Sequence, residues 1–453
     1  MLVQKFGGTS VGDPDAIRRL IEIARTARNR DGRGPIVVVS ALSGVTDGLL
    51  AIAAEAGASR VDRALAHVDQ LRDRHVAMTQ ALLGGGRMAP LAAHVESEFD
   101  QLVAVVKALG VLREVSSGTL DVVAATGELL SSRIVAEALV HAGLPGQWVD
   151  ARLAIITSDD YTRAVPLMRE TTAALRAVVS PVIDAGRIPV LGGFVGATLQ
   201  GHTATLGRGG SDYSAAIVGA GVGASEIQIW TDVDGMLTAD PRIIPQPRLV
   251  PRLSFAEAAE LAYFGAKVLH PSTIHPAVER NIPVRILNAR KPDGTGTLIT
   301  ADAVSSDANQ LTAMAAKRDI TVVDITSDRM LMAYGFLRRV FEVFERFQTA
   351  VDVVTTSEVS VSVTVDNRRH LQAIVEALSE FAEVVVEPEM ALLCVVGDYL
   401  RSDPAMAGRV VGVLEEVPLR MISQAASRRN ITVIMRQADL SHAMHRLHEE
   451  FFT

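Results

Sequence analysis

The chain has 453 residues, of which 48% are hydrophobic and 21% charged, and its formal net charge is −8 at pH 7. That length allows more than one domain with its own core, and the composition excludes a largely disordered protein. The acidic balance argues against nucleic-acid and membrane partners, because both need a basic face. Cys394 is the single cysteine, which excludes a disulfide framework. We see no signal peptide and no apolar run of membrane-spanning length, and therefore expect a cytoplasmic protein.

The first predicted element is a short strand, Leu2–Phe6, that runs into a glycine turn. Gly7 and Gly8 let the backbone approach an anion, and the N-terminus of a helix opened by Asp13-Pro14 adds partial positive charge. Lys5 supplies a full positive charge. This pattern is typical of a phosphate cradle, although its spacing differs from G-x-x-x-x-G-K-[ST]. Taken alone, the turn is more typical of an ordinary strand–turn–helix corner.

Apolar strand-like runs and amphipathic helices alternate over the first ~300 residues, which predicts a parallel α/β sheet. Each predicted strand ends in small or polar residues, where open α/β sheets place their ligands. These strands are Ile36–Val39, Val122–Ala125, Ile188–Leu191 and Glu226–Trp230. Residues 49–115 differ, because they are rich in Ala, Leu and Arg and have a helical period. We interpret them as a helical excursion, broken at Gly84-Gly85-Gly86, with no chemistry of its own.

A second glycine loop, Thr205–Ser214, is followed by the predicted helix Ala215–Val222. Arg208 offers a planar fork suited to a carboxylate. Asp212 lies in the first turn of the helix, and one interpretation is that it does no more than cap the helix N-terminus. Together with Arg208, however, it forms a pair of one anion binder and one cation binder, which suits a zwitterionic amino acid.

Two further motifs follow the strand that ends at Trp230. Asp232 and Arg242 are typical of contacts to a ribose, a metal or a phosphate, although Asp/Gly turns explain the same residues. Phe264–Pro271 is predicted to close a helix begun at Ser254, which places Lys267 near the helix end, where a solvated or dipole-pairing lysine is the default interpretation. No histidine spacing indicates a zinc site, so we predict no protein-built metal centre.

Near residue 300 the pattern changes to a strand, loop, helix, strand, strand unit that occurs twice. The first copy comprises Ile320–Ile325, Phe336–Phe347, Val351–Val354 and Val359–Val365, and the second comprises Ala391–Val396, Ala405–Glu416, Leu419–Ile422 and Ile431–Met435. Such a pair favours a sensor attached to an enzyme. A structural or dimerising tail is the alternative.

Five motifs in chain order resemble those of aspartate kinase, a family with the amino-acid-kinase fold. They are Lys5-Phe-Gly-Gly-Thr-Ser-Val, Gly207-Arg-Gly-Gly-Ser-Asp, Trp230-Thr-Asp-Val-Asp-Gly, Ala239-Asp-Pro-Arg and Phe264-Gly-Ala-Lys-Val-Leu-His-Pro. The resemblance implies a three-layer αβα catalytic domain with a mostly parallel sheet over residues 1–300. It also implies two C-terminal ferredoxin-like α+β ACT domains over 301–380 and 381–453, whose last residues could return to the first. The helical excursion and the length resemble the monofunctional, lysine-sensitive branch.

The resemblance implies that the ATP γ-phosphoryl group is transferred to the β-carboxylate of L-aspartate. This reaction is the first step towards lysine, threonine and methionine. The resemblance also implies Mg²⁺, bound mainly through the nucleotide. That carboxylate is ionised at neutral pH, so no general base is needed. Catalysis then consists of bringing two anions together. The positions that match catalytic residues are Lys5, Arg208, Asp212 and Lys267. Those that match the aspartate site are Ser40, Thr46, Glu128, Arg208, Ser211 and Asp212, with Glu128 and Asp212 facing the ammonium. Those that match the nucleotide site are Lys5, Gly7, Gly8, Thr231, Asp232, Leu237, Arg242, Lys267 and Val268.

Two residues depart from the family pattern. Leu237 stands where tyrosine is common, so we expect weaker ATP binding. Ala425 stands where glycine is usual, which affects the turn of the second repeat.

The first repeat matches the place where the lysine-sensitive branch holds its effector. The implied effector residues are Met330, Phe336, Leu337, Asp352, Thr356, Ser357, Glu358 and Val359, with Asp352 pairing with the effector ammonium. Lysine is the first choice of effector. Threonine is the second, since it presents the same backbone amine and carboxylate. A hydrated turn is the alternative. ACT repeats usually pair across subunits, so a homodimer or a larger assembly is expected.

Two other functions stay open at this point. One is another acid kinase of this fold, acting on glutamate or acetylglutamate. The other is an amino-acid sensor on a decayed kinase domain, which would require loss of charged residues that this chain retains.

Overall fold

A computed structural model describes residues 1–207, 209–265, 271–302, 311–327, 334–397, 400, 403, 405–424 and 428–452. Contacts divide the chain into two units. The first unit is Met1–Met236 with Val268–Ala303, and the second is Leu237–Lys267 with Val304–Thr453.

The strands, in chain order, are β1 (Leu2–Phe6), β2 (Ile36–Val39), β3 (Gly146–Trp148), β4 (Ile156–Thr157), β5 (Ile188–Gly192), β6 (Val195–Thr198), β7 (Thr203–Thr205), β8 (Glu226–Thr231), β9 (Arg252–Ser254), β10 (Val284–Asn288), β11 (Thr297–Thr300), β12 (Ala313–Thr326), β13 (Val354–Thr356), β14 (Ser360–Val365), β15 (Glu383–Val396), β16 (Leu419–Ser423) and β17 (Asn430–Arg436).

The helices are α1 (Pro14–Asp31), α2 (Val45–Gly57), α3 (Val61–Leu82), α4 (Met88–Leu112), α5 (Ser117–His141), α6 (Met168–Val178), α7 (Ser180–Asp184), α8 (Gly210–Val222), α9 (Phe255–Tyr263), α10 (His275–Glu279), α11 (Phe336–Arg346), α12 (Leu371–Ser379), α13 (Met406–Val413) and α14 (Leu440–Phe452).

The main sheet of the first unit confirms the predicted, mostly parallel arrangement. Its strand order is β3-β5-β2-β1-β8-β10-β11. Every neighbouring pair is parallel except β10 and β11. Strands β1 and β2 are buried along their whole length, as expected for a sheet covered on both faces. The parallel arrangement brings the carboxyl ends of β1, β2 and β8 to one edge.

Helix α1 begins where the sequence predicts. The Asp13 carboxylate accepts a hydrogen bond of 2.7 Å from the Ala16 N–H, and Pro14 occupies the first helical position. Gly32 ends the helix in a left-handed conformation, with φ of 68°. The helix therefore has capping residues at both ends.

The predicted strand Val122–Ala125 is wrong, because these residues lie inside α5. The Ser116 side chain caps this helix by accepting from the Thr119 N–H. A short apolar run has the same appearance in a buried helix and in a buried strand, and here the helix is buried on most of its surface. Glu128 consequently lies on a helix and not at a strand end.

The helical excursion is confirmed. Helices α2, α3 and α4 pack around a shared apolar core that includes Ile52, Val68 and Phe99. A 3-10 turn at Gly85–Arg87 separates α3 from α4, at the predicted break.

The second unit contains an antiparallel sheet with the order β13-β14-β12-β15-β17-β16. One apolar cluster joins α11 and α12 to one half of this sheet, and a second joins α13 and α14 to the other half. These clusters confirm two α/β repeats. Predicted strand Val351–Val354 is shifted, since β13 begins at Val354, and the sequence did not predict α12 or α14.

Residues 237–267 group with the C-terminal unit and not with the first 236 residues, unlike the predicted boundary at 300. The reason is a set of contacts from α9. Asn430 Nδ2 donates to Glu260 Oε2 at 2.6 Å, and the Lys317 ammonium lies 4.8 Å from the centre of the Tyr263 ring.

One finer expectation for this unit is also corrected. Helix α9 ends at Tyr263, well before the predicted end at Pro271, after a capping box built by Ser254 and Glu257. The described end of the chain packs through residues such as Leu447 in the second cluster, which also contains Leu311 and Met314.

Candidate active site

The two glycine loops, far apart in sequence, meet at one cavity of about 850 Å³ in the first unit. This volume is typical of a site for small ligands. The lining residues that the sequence had predicted are Lys5, Gly7, Gly8, Ser40, Thr46, Glu128, Ser211, Asp212, Thr231 and Asp232. These ten described positions, some predicted for the nucleotide and some for aspartate, therefore line a common space.

An ion pair joins the two loops directly. The Lys5 ammonium lies 2.7 Å from Asp212 Oδ1, and Lys5 is only 8% exposed. Although the two groups form an ion pair, Asp212 Oδ1 accepts no hydrogen bond from the described residues. Gly209, with φ of 70°, is the N-cap of α8, and no side chain caps the helix. The interpretation of Asp212 as a helix cap is therefore wrong.

Glu128 is a buried carboxyl group on the wall of the cavity, with 3% of its surface exposed. Burial raises its pKa to about 8, while hydrogen bonds from the Ala41 backbone and the Thr46 side chain act in the opposite direction. Among the described residues, nothing donates a hydrogen bond to Glu128 Oε2. A cation that entered the cavity would find one acceptor oxygen ready.

Close packing brings α5 to this position. A Cβ atom on Gly192, at the end of β5, would lie 2.9 Å from the Glu128 carbonyl oxygen. A Cβ atom on Gly127 would lie 2.8 Å from the Ala41 Cβ. Only glycine at both positions lets the helix lie so close to the sheet and to the loop after β2.

The remaining predicted residues of the first unit are held by backbone contacts. The Gly7 N–H donates to the Trp230 carbonyl oxygen at 3.1 Å, and the Ser40 N–H donates to that of Phe6 at 3.0 Å. The Thr231 carbonyl oxygen accepts from the Ala289 N–H at 2.8 Å. Adjacent parallel strands thus fix the loops that follow β1, β2 and β8.

Asp121 lines the cavity and was missed by the sequence analysis. It is 1% exposed, and its carboxylate accepts from the N–H groups of Thr162 and Thr205 and from the Thr205 hydroxyl. Asp121, Ala124 and Glu128 have helical i, i+3, i+7 spacing and lie on one face of α5. This period would have revealed Asp121 if the segment had been predicted as a helix.

Leu237 and Arg242 belong to the second unit. Leu237 forms an isolated bridge with Leu249, and the Arg242 guanidinium pairs with the Asp240 carboxylate at 2.5 Å. This side-chain hydrogen bond raises the pKa of Arg242 and lowers that of Asp240. Arg208, Lys267 and Val268 lie outside the described residues, so the nucleotide and carboxylate contacts assigned to them stay predictions.

The predicted effector residue Asp352 is buried and already pairs with a cation. The Lys317 ammonium lies 2.9 Å from Asp352 Oδ1, and Asp352 Oδ2 is buried without a hydrogen-bond partner among the described residues. Burial lowers the pKa of Lys317, but its hydrogen bond to Asp352 and the nearby acidic groups together raise that pKa above its ordinary value. A second acidic residue, Asp366, lies 3.4 Å from the same ammonium.

The other predicted effector residues surround the start of α11 and the β13–β14 hairpin. Phe336 is buried, whereas Leu337 and Val359 are each 39% exposed. Thr356 ends β13, Glu358 is exposed, and the Ser357 N–H donates to the Ser360 carbonyl oxygen at 2.8 Å. Met330 lies outside the described residues.

Metal and membrane features were searched in the described part of the chain. It holds no cluster of three or more His, Cys, Asp or Glu side chains that could bind a metal ion. No helix in the same ranges is long and apolar enough to span a bilayer.

Comparison with known proteins gives consistent matches over the whole length. The amino acid kinase family model matches residues 1–288, and an ACT domain model matches 393–451. Aspartokinase 3, chloroplastic, from Arabidopsis thaliana is 37% identical over 465 residues, covering 99% of this chain and 81% of that protein. Lysine-sensitive aspartokinase 3 from Escherichia coli K12 is 33% identical over 460 residues, covering 100% and 99%.

Solved structures agree with these matches. Aspartokinase III of E. coli in complex with lysine and aspartate (T-state) superposes with a TM-score of 0.84, at 33% identity and 100% coverage of both chains. The same enzyme in complex with aspartate and ADP (R-state) gives a TM-score of 0.83 with the same identity and coverage. On this evidence the chain belongs to the aspartokinase family.

Proposed function

We propose that the cavity between the two glycine loops is where ATP and L-aspartate meet. The chain is an ATP-dependent aspartate kinase, which transfers the γ-phosphoryl group to the β-carboxylate of L-aspartate to give 4-phospho-L-aspartate. The observation that carries the proposed site is the 2.7 Å ion pair between Lys5 and Asp212, because it joins the predicted phosphate loop to the predicted aspartate loop.

Different lining residues of the cavity suit each reactant. Lys5, together with the backbone of Gly7 and Gly8, offers positive charge and close approach to phosphates. Glu128 and Asp212 offer carboxylates to the aspartate ammonium. Arg208 is proposed to hold the aspartate α-carboxylate, and Lys267 to hold the nucleotide phosphates, on the basis of the motifs alone.

The chemistry requires little beyond this placement. The aspartate β-carboxylate is ionised at neutral pH, so no side chain has to remove a proton from it. Lys5 stabilises charge on the transferred group, and the rigid strand ends hold both reactants in line.

The donor set also fits Mg²⁺, which prefers oxygen ligands and keeps several from water and phosphates. Asp232 is exposed at the cavity and is the carboxylate we propose for this ion, which would neutralise phosphate charge when bound. Most of its ligands would come from the nucleotide.

We further propose lysine as the feedback effector, with threonine second, at the first repeat. Asp352 supports this choice, because its buried carboxylate is already occupied by a lysine-type ammonium from Lys317. An effector ammonium would compete for the same carboxylate.

Assembly through the repeats is a separate proposal. Strand β13 lies at the edge of its sheet, and Leu337, Phe341 and Val354 expose apolar surface on this repeat. Such surface is typical of an interface, and we propose a homodimer or a larger assembly. Sedimentation as a monomer with lysine bound would contradict it.

One assay tests the function. Purified protein, ATP and Mg²⁺ are incubated with L-aspartate, glutamate or acetylglutamate, and hydroxylamine traps any acyl phosphate as a coloured hydroxamate. We expect product with L-aspartate and less of it when lysine is added. Product with another acid would change the substrate assignment, and lysine binding without product with any acid would indicate a sensor.

A further inference from the structure

Arg74 connects the helical excursion to both sides of the cavity. It lies on α3, in the segment predicted to carry no chemistry. Its Nη1 donates to the Ser43 carbonyl oxygen at 2.7 Å, and its Nη2 donates to the Gly12 carbonyl oxygen at 3.2 Å. One guanidinium therefore holds two loops that are far apart in sequence.

These two loops form adjacent parts of the cavity wall. Gly7, Gly8 and Thr9 line the cavity from the loop that ends at Gly12, and residues 40–44 line it from the loop that contains Ser43. The loops also touch each other, because a Cβ atom on Gly8 would lie 3.3 Å from the Ala41 carbonyl oxygen. Their separation is therefore sensitive to whatever holds them together.

The two carbonyl groups depend on Arg74. No backbone N–H of the described residues donates to the carbonyl oxygen of Gly12 or Ser43. The planar fork of arginine reaches two acceptors at once in a fixed geometry, whereas a lysine ammonium acts as a point charge. Arg74 is not among the residues that line the cavity, so it acts through the loops.

We propose that Arg74 is a positioning residue of the kinase site, which fixes the distance between the phosphate loop and the loop of residues 40–44. The proposal rests on the function proposed above, since one loop is assigned to ATP and the other to aspartate. Each loop retains its own strand and its own ligand contacts when Arg74 is lost. The distance between the two reactants is what changes.

This predicts a specific kinetic pattern. In the Arg74→Met variant, kcat should fall on the order of tenfold to a hundredfold, because small misplacements of reacting groups are costly. The dissociation constants of ADP and of aspartate, measured separately by calorimetry, should change less than about threefold, since each loop binds its own ligand. Arg74→Lys should give an intermediate kcat.

Arg72→Met is the matched control. Arg72 lies on the same helix, but it pairs with Glu96 and Asp100 on α4 and contacts neither loop. We expect its kcat to equal that of wild type, and the melting temperatures of both methionine variants to be similar. In Arg74→Ala, added ethylguanidinium should restore part of kcat, which a general loss of stability would not allow.

The outcomes separate this proposal from the proposed function. A wild-type protein that forms no hydroxamate from aspartate refutes the function and the positioning role together. An active wild type with equal kcat in Arg74→Met and Arg72→Met refutes the positioning role alone. A tenfold loss of ADP or aspartate affinity in Arg74→Met, or no rescue by ethylguanidinium, also refutes it.

Discussion

The proposed contact between Glu128 and the aspartate ammonium predicts a pH dependence of aspartate binding. Burial raises the pKa of this carboxyl group to about 8, so it is mostly protonated at neutral pH in the empty cavity. A neutral acid attracts an ammonium group weakly, and an ionised one attracts it strongly. Aspartate should therefore bind the deprotonated form and release a proton from Glu128.

The size of the effect follows from the pKa. If only the ionised form binds, the apparent dissociation constant is multiplied by one plus the ratio of protonated to ionised Glu128. With a pKa of about 8, affinity should improve about 25-fold from pH 6.5 to pH 8.5. Free aspartate keeps its ammonium group and both carboxylates largely ionised across this interval, so it adds little to the change.

Calorimetry measures both parts of this prediction. Titrations in two buffers with different ionisation enthalpies give the protons released for each aspartate bound. We expect about 0.9 protons at pH 7 and about 0.2 at pH 8.5 for a pKa of about 8. The Glu128→Gln variant should bind more weakly at pH 8.5, release no proton and show no such pH dependence.

The same group affects folding stability without any ligand. Its folded pKa of about 8 lies above the value of 4.5 expected when it is unfolded, so the native state keeps a proton that the unfolded state loses. Between these values, rising pH destabilises the fold by about 1.4 kcal/mol per pH unit from this group. Glu128→Gln should therefore raise the melting temperature more at pH 8.5 than at pH 5. A constant affinity, no proton release and an equal gain at both pH values would refute the reasoning.

Three further substitutions test other parts of the site. Lys5→Met should lower kcat by about a hundredfold or more in the hydroxamate assay, because it removes a charge that is proposed to face the phosphates. Lys107→Met, on the exposed face of α4, should leave kcat unchanged. Equal turnover in both variants would end the assignment of Lys5. Asp121→Asn should loosen the Thr205 end of the second glycine loop and raise the KM for aspartate about tenfold. The KM for ATP should change little. An equal rise in both KM values would contradict this prediction. Asp352→Ala should relieve inhibition by lysine, whereas Asp366→Ala should retain it, and an unchanged inhibition curve for Asp352→Ala would place the effector elsewhere.

Short-range signals in the sequence predicted the bounds of two elements correctly. Asp13-Pro14 marked the start of α1, and the apolar run Ile36–Val39 matched β2 residue for residue. Capping and continuous hydrophobicity are local properties, so the sequence expresses them directly. The glycine loops were likewise visible, because few residues other than glycine allow such close backbone approach.

Signals that depend on tertiary packing were less accessible. Val122–Ala125 is apolar in either a helix or a strand, and only its neighbours decide that it belongs to α5. That one error hid Asp121, which becomes visible only when the face shared with Glu128 is known. The pairing of Arg74 with two carbonyl groups had no signal at all, since backbone acceptors carry no residue identity.

At the proposed site, the Lys5–Asp212 pair would allow one cavity to accept two anionic reactants. Each of these two charges is satisfied by the other at 2.7 Å, which avoids a buried unpaired charge. A phosphate group can take Lys5, which leaves Asp212 for an ammonium, and an aspartate ammonium can take Asp212, which leaves Lys5 for a phosphate. Either reactant therefore prepares the cavity for the other. The repulsion between their negative groups is offset where it would be largest, at the point of transfer.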